Sequence, residues 1–167
     1  MATQDIASIR KKFPEYMQKV GKNYKRNFIL LAFDTAFFTF STSLLSQDTV
    51  LPAFLSSLTE NPILIGLIPA LFNLGFFLPQ ILSAFIIRNT PKRKKYILFI
   101  ATAERIGILL IAASAQITGV LPDKFVIPFF LLSFTIYTSS FGLIMPAYSD
   151  FISKAIYKKR GFYYGGN

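Results

Sequence analysis

The sequence predicts an all-α fold: a polytopic bundle of transmembrane helices with four spans, the start of a fifth and a cytoplasmic N-terminus. Two observations carry this prediction. The chain of 167 residues is 53% hydrophobic and only 16% charged, whereas average soluble domains are about 45–50% apolar and about 25% charged. The charged residues are also gathered into blocks that separate long apolar segments, as in the loops between membrane spans.

The apolar segments are long enough to cross a bilayer. Twenty helical residues cover about 30 Å, which is the thickness of the hydrocarbon core. Prolines lie inside several of the segments, but membrane helices tolerate proline and often kink there. We expect spans at about 28–57, 63–87, 96–118 and 125–152, and a fifth that begins near residue 161.

Residues 1–27 form a basic N-terminal segment ahead of the transmembrane domain, which takes up residues 28–167. Apolar residues recur at mostly three- and four-residue steps from Ile6 to Tyr24, which gives a helix with one apolar stripe. Such a helix can lie in the headgroup layer of an anionic membrane. A loosely ordered cytoplasmic tail explains the segment equally well, and Pro14 is expected to break the helical pattern.

Lys and Arg side chains are distributed unevenly between the two sides of the predicted bundle. Seven precede the first span, four follow the fourth, and the turns on the opposite side contain only Lys124. The positive-inside rule therefore places the N-terminus in the cytoplasm of a multi-pass protein of the plasma or bacterial inner membrane. The loop after the second span, also cytoplasmic, holds five more basic residues: Arg88, Lys92, Arg93, Lys94 and Lys95.

The residue types that are missing rule out several kinds of chemistry. The chain has no Cys, His or Trp, so disulfides, thiolate nucleophiles, Cys/His zinc sites and histidine bases are excluded. It also lacks a phosphate-binding glycine loop and a cluster of metal ligands, and we expect neither an enzyme nor a cofactor. The net charge of +10 could suggest nucleic acid, but basic residues that bracket apolar segments are typical of membrane flanks instead.

Asp34, Glu104 and Arg105 are ionisable residues inside the predicted spans, where a charge is costly and often functional. Asp34 lies about 10 Å into the membrane, and Glu104 and Arg105 lie about 12–13 Å in, at 1.5 Å per helical residue. The first and third spans run parallel, so Asp34 and Arg105 could pair. A buried ion pair that only sets helix register is one interpretation. The other is a charge cluster that couples or gates transport, in which the excess carboxylate changes protonation.

Polar residues also follow one face of the first span and one of the fourth. Asp34, Ser41 and Asp48 share a face with Phe38 and Leu45 at helical steps. Ser133, Tyr137 and Ser140 form a second stripe. Two polar stripes on separate helices are compatible with a shared aqueous cavity. For the hydroxyl groups alone, ordinary hydrogen bonding between helices is the preferred explanation.

Small residues four apart on a membrane helix allow a close approach between helices. Gly66 and Ala70 form such a pair on the second span. They predict a helix contact there.

Several of these features together resemble the N-terminal half of a major facilitator superfamily transporter, over about residue 27 to the end. The basic tail and loops resemble that family, as do three motifs: Ile65 to Leu71 leading into Leu78-Pro79-Gln80, Glu104-Arg105 after the basic loop, and Pro146 to Asp150 closing the fourth span. The loop from Arg88 to Lys95 departs from the family pattern. It keeps the basic cluster but lacks the acid and the glycine of the family's loop motif.

The resemblance implies a secondary transporter that moves a small solute, with a possible coupling ion, by rocking two halves about a central site. In that family the first and fourth spans line the cavity. Members of the family have twelve spans. The expected partners of this chain are therefore the lipid bilayer and a missing C-terminal half. Glu104 and Arg105 would then support coupling or the gate, together with Asp34. The cavity candidates are Asp34, Ser41, Asp48, Tyr137 and Ser140.

A different class of function is the alternative. A small four-span protein could act by assembling with partners and transport nothing. The sequence ends in Gly-Phe-Tyr-Tyr-Gly-Gly-Asn rather than in a polar tail, which favours a truncated transporter. Eight further apolar segments encoded in frame beyond codon 167 would distinguish the two.

Overall fold

A computed structural model describes residues 14–88 and 93–155 of the chain. Over these residues the protein is helical, with no strand and a single isolated bridge between Thr118 and Leu121. The helices in chain order are α1 (Pro14–Lys22), α2 (Tyr24–Leu44), α3 (Val50–Ser56), α4 (Pro62–Arg88), α5 (Arg93–Gln116) and α6 (Asp123–Ala155).

Four helices in the described part of the chain, α2, α4, α5 and α6, are long and apolar enough to cross a membrane. The predicted all-α transmembrane bundle is therefore confirmed. The fifth span predicted near residue 161 and the segment 1–13 lie outside the described residues.

The first predicted span is divided in the structure. Helix α2 ends at Leu44 and α3 begins only at Val50. Pro52 is the third residue of α3, in the first turn, where a missing backbone N–H leaves no intrahelical bond unmade. In one continuous helix the same proline would remove the bond to Asp48 and clash with its carbonyl. The polar residues between the helices close the connection, with Thr49 Oγ1 2.9 Å from Ser46 Oγ.

The other helix boundaries follow local rules. Pro14 is the first residue of α1, a position that suits proline. Asn61 precedes α4, and its side-chain oxygen accepts a hydrogen bond from the Ile63 N–H at 3.0 Å, as a helix N-cap does. Between α5 and α6, Gly119 takes a φ of +80°, which favours glycine because it has no Cβ.

The chain folds as two compact units. Of the described residues, one unit, here called the terminal unit, contains 14–40 and 149–155, and the other, the main unit, contains 41–88 and 93–148. In the main unit the buried core joins α3, α4 and α5 to α6. Its buried members are Leu51, Leu55, Ile68, Ile111, Phe130, Phe134 and Tyr137.

Helices α4, α5 and α6 cross the main unit in alternating directions. Gly75 and Ser83 of α4 meet residues 138 and 143 of α6, so these two helices run parallel. Tyr96 and Gly107 of α5 meet residues 143 and 137, so α5 runs antiparallel to α6. Consecutive membrane spans must alternate in this way. The end of α4 and the beginning of α5, which carry the basic loop, therefore lie at the same end of the bundle as the later turns of α6.

Candidate functional site

Helix α6 contributes half of the buried polar residues in the described part of the main unit. Ser133, Thr138 and Ser140 are buried, and Tyr137 is only 3% exposed. The Ser133 hydroxyl donates to the Phe129 carbonyl at 2.6 Å, and the Thr138 hydroxyl donates to the Thr135 carbonyl at 3.2 Å. Both bonds stay within α6. For Ser133 the structure therefore differs from the preferred explanation of the hydroxyl stripe, which was hydrogen bonding between helices.

Aromatic rings form a continuous row along the same helix. The rings of Phe130, Phe134, Tyr137 and Phe141 follow one another with 6.3 Å between neighbouring centroids. Phe54 of α3 contacts Phe130 edge to face at 5.1 Å. Tyr137, predicted as a cavity residue, therefore lies inside a packed aromatic row.

The backbones of α5 and α6 approach closely at Gly107. A Cβ at this position would lie 2.9 Å from the Cα of Tyr137, so only glycine fits without a shift of the backbone. Glu104 lies one helical turn earlier on α5, on the side of Gly107. Its side chain is 4% exposed and interacts electrostatically with Tyr137. The structure thus places a carboxyl group at the contact between two membrane-spanning helices.

Arg105, the neighbour of Glu104, points elsewhere. Its side chain is exposed, and Nη1 donates to the Ala101 carbonyl one turn earlier on α5 at 2.9 Å. Within the predicted charge cluster, Glu104 is therefore buried, whereas Arg105 lies at the surface of the main unit. The pairing of Arg105 with Asp34 joins the two units and stays a prediction.

The remaining cavity candidates lie on α2 and beyond its end. Asp34 and Ser41 are both on α2, where Asp34 is exposed and Ser41 half-buried. Leu45 and Asp48 follow the end of α2 at Leu44. The predicted stripe from Asp34 to Asp48 on one continuous helix is therefore wrong for Asp48, because the break before Pro52 ends the helical register, whereas the Leu45 N–H still donates to the Ser41 carbonyl at 3.2 Å.

Sequence reasoning missed a polar cluster that links three helices. The hydroxyl groups of Ser83 and Tyr96 are 2.9 Å apart, and both donate to the Leu143 carbonyl of α6, Tyr96 at 3.2 Å. A carbonyl oxygen has two lone pairs and can accept both bonds. Ser83 is fully buried. The sequence feature that could have indicated this cluster is a single serine, Ser83, near the end of the second predicted span, followed by Tyr96 at the beginning of the third.

The predicted small-residue contact is also wrong. Gly66 and Ala70 are exposed, and no atom lies within 4 Å of a Cβ built on Gly66. Gly75 and Gly142 make the close approach instead, since a Cβ on Gly142 would meet the Gly75 and Phe76 carbonyl oxygens. Spacing alone could not choose between these glycines, because it does not show which face of α4 meets α6.

Part of the predicted cytoplasmic basic loop belongs to helices. Arg88 ends α4, and Arg93 to Lys95 open α5. Lys94 and Lys95 are exposed. Lys92 and the basic residues 158–160 lie outside the described residues.

These features define a multi-pass helical membrane protein with a buried carboxyl group between two of its spans. No family model matches the chain, and comparisons with curated proteins and with solved structures also found no match. The resemblance to the major facilitator superfamily therefore stays a prediction.

Proposed function

We propose that the chain is part of a secondary active transporter that moves a small solute across a cell membrane by alternating access. The observation that carries the proposal is the burial of Glu104, 4% exposed, in the membrane-spanning helix α5. Ionisable groups are rare at such depth, and they commonly mark ion pathways and coupling sites.

The position of Glu104 suits a coupling role because it lies beside a close contact between two helices. Changing the charge of a carboxyl at this contact changes the free energy of packing α5 against α6, since a buried charge costs far more than its neutral form. A helix pair with two preferred arrangements can then respond to protonation or to a bound cation. Asp34, Ser41 and Asp48 remain the residues proposed to face the solute, with further spans completing the cavity.

The absence of native cysteine makes single-cysteine labelling a direct test. We expect Ser41→Cys, at a half-buried position, to react in membranes with a water-soluble thiol reagent, and Ser140→Cys to react only in a second arrangement of α5 and α6, because Ser140 is buried in this one. The rates should depend on pH more strongly than thiolate formation alone requires. The same variants carrying Glu104→Gln should keep only the pH dependence of thiolate formation. Ser114→Cys is the matched control, because Ser114 is fully buried and its hydroxyl donates to its own helix at Ile111.

Labelling of both test positions no faster than that of Ser114→Cys, at every pH, would exclude an aqueous cavity and contradict the proposal. If a cavity is found, pools of small solutes are screened for protection of the two cysteines. Protection by one solute identifies the substrate class.

The alternative proposal, a four-span protein that acts by assembly, is favoured by one observation. None of the residues in the most apolar window of α2 is buried, so this helix exposes apolar surface that a partner could cover. Phe37→Cys should then form disulfide-linked dimers in membranes. Lipid-diluted vesicles in which the crosslink disappears would argue against specific assembly.

A further inference from the structure

The terminal unit contains a groove that the transport proposal does not use. It lies between α1, the first turns of α2 and the last turns of α6, and has a volume of about 370 Å³. Ligand pockets in proteins range from about 300 to about 1,000 Å³. Its polar wall includes Lys19, Asn23 and Arg26, and its apolar wall includes Leu30, Leu31 and Phe151.

Along α2, the polar wall of the groove comes first and the apolar wall lies further into the membrane. Arg26 is the last basic residue before the span, and Leu30 lies one turn further on, about 6 Å deeper at 1.5 Å per residue. Lys19 and Arg26 are both exposed, as is Leu30. The cationic end therefore lies at the level of the lipid headgroups, and the apolar end lies at the level of the acyl chains.

The local charge is complementary to an anion. Among the described residues that line the groove there are two cations and no acid. The Asn23 side-chain amide donates to the Lys19 carbonyl at 2.9 Å, a local bond at the junction of α1 and α2. Glu15, one turn before Lys19 on α1, is exposed and does not line the groove.

We propose that this groove binds one anionic phospholipid, with its phosphate between Lys19 and Arg26 and an acyl chain along Leu30, Leu31 and Phe151. A free phosphate would use only the polar wall, and a zwitterionic lipid would bring its own cation against the two basic residues. An anionic phospholipid matches both walls. The inference depends only on the membrane location of the chain and is independent of the transport proposal.

The test uses the full chain, which contains no tryptophan, so that one introduced indole is a local reporter. Phe151→Trp places it in the groove, and Phe99→Trp places it on α5, where Phe99 is 72% exposed. Each variant is reconstituted in phosphatidylcholine vesicles containing a minor fraction of brominated phosphatidylglycerol or brominated phosphatidylcholine. Bromine quenches indole fluorescence on contact.

We expect the Phe151→Trp reporter to show an apparent affinity about tenfold higher for phosphatidylglycerol than for phosphatidylcholine, given the attraction of each basic residue for anionic lipid. Adding Lys19→Gln/Arg26→Gln should remove most of this preference. The matched pair Lys94→Gln/Lys95→Gln removes the same charge from exposed residues at the start of α5 and should leave it unchanged. Far-ultraviolet circular dichroism checks that each variant is folded.

Three results would overturn the proposal. The Phe99→Trp reporter could show the same lipid preference, or both charge-removing pairs could reduce it equally, and either result would mean diffuse attraction rather than a site. Displacement of the brominated lipid by excess inorganic phosphate would assign the groove to a free anion.

Discussion

Helices α2 and α6 are similar in composition but differ in how they pack. Both are rich in phenylalanine and hydroxyl residues, and both are long enough to span a bilayer. In the most apolar window of α2 no residue is buried, whereas in that of α6 44% are buried. Apolar character alone therefore does not explain which helix is buried.

The difference lies in small residues at positions of close approach. Gly142 and Ala147 of α6 are buried, and Gly142 allows the helix to reach the backbone of α4. Helix α2 contains no glycine. Lipid chains are as apolar as leucine, so helices associate in membranes through packing and hydrogen bonds rather than through hydrophobic transfer. Apolar length brings a helix into the membrane, and small residues allow it to pack.

The largest expected effect on stability comes from removing one aromatic ring from each of these two helices in turn. Phe134 of α6 is fully buried and Phe37 of α2 is 70% exposed. Phe134→Ala should lower the free energy of unfolding by about 3 kcal/mol, at the low end for buried aromatic truncations because lipid is itself apolar. Phe37→Ala should change it by less than about 0.5 kcal/mol. Unfolding of the purified chain in detergent measures both.

Equal losses for the two variants would mean that α2 is packed as tightly as α6, and the contrast between the helices would be wrong. A loss at Phe37 alone would be more informative still, because it would show that the exposed face of α2 contacts another copy in detergent. Unfolding measured at two protein concentrations separates that case from a monomeric one.

The second prediction compares a glycine at a close contact between helices with a glycine at an exposed position. A Cβ on Gly142 would lie 3.0 Å from the Gly75 carbonyl oxygen, so Gly142→Ala forces two backbones apart. Overpacking of this kind costs about 1–3 kcal/mol. Gly66→Ala is the matched control, because its Cβ would meet open space, and it should stabilise the helix by about 0.5–1 kcal/mol. Thermal aggregation in detergent ranks both variants against the native chain, and similar behaviour of the two would contradict the proposed close approach.

The fold class was predictable because spans and basic flanks are one-dimensional patterns. The break between Leu44 and Val50 was also predictable in principle, because Pro52 and the polar residues before it are present in the sequence. It was missed because the apolar residues on both sides resemble one continuous span. The burial of Glu104 could not be separated from the exposure of Arg105 in the same way. Adjacent helical residues differ by about 100° in direction, and which one meets α6 depends on helix rotation, which is set by Gly107 packing against Tyr137.

The smallest expected effect concerns the polar cluster that joins α4, α5 and α6. Ser83→Ala removes a fully buried hydroxyl that bonds the Leu143 carbonyl and lies 2.9 Å from the Tyr96 hydroxyl. Hydrogen bonds between membrane helices contribute about 0.6 kcal/mol on average, so a loss of about 0.5–1 kcal/mol is expected. Thr102→Ala is the control, because the exposed Thr102 hydroxyl bonds only its own helix at Leu98, and it should have almost no effect.

A double-mutant cycle with Tyr96→Phe decides whether the three groups act together. Tyr96→Phe removes the second donor to Leu143 and keeps the ring, so packing is preserved. If the hydroxyls form one network, the loss for Ser83→Ala/Tyr96→Phe should differ from the sum of the single losses by at least about 0.5 kcal/mol. Additive losses would mean that Ser83 and Tyr96 bind α6 independently. The basic end of the bundle would then be held together by separate contacts between helix pairs, without a network shared by the three helices.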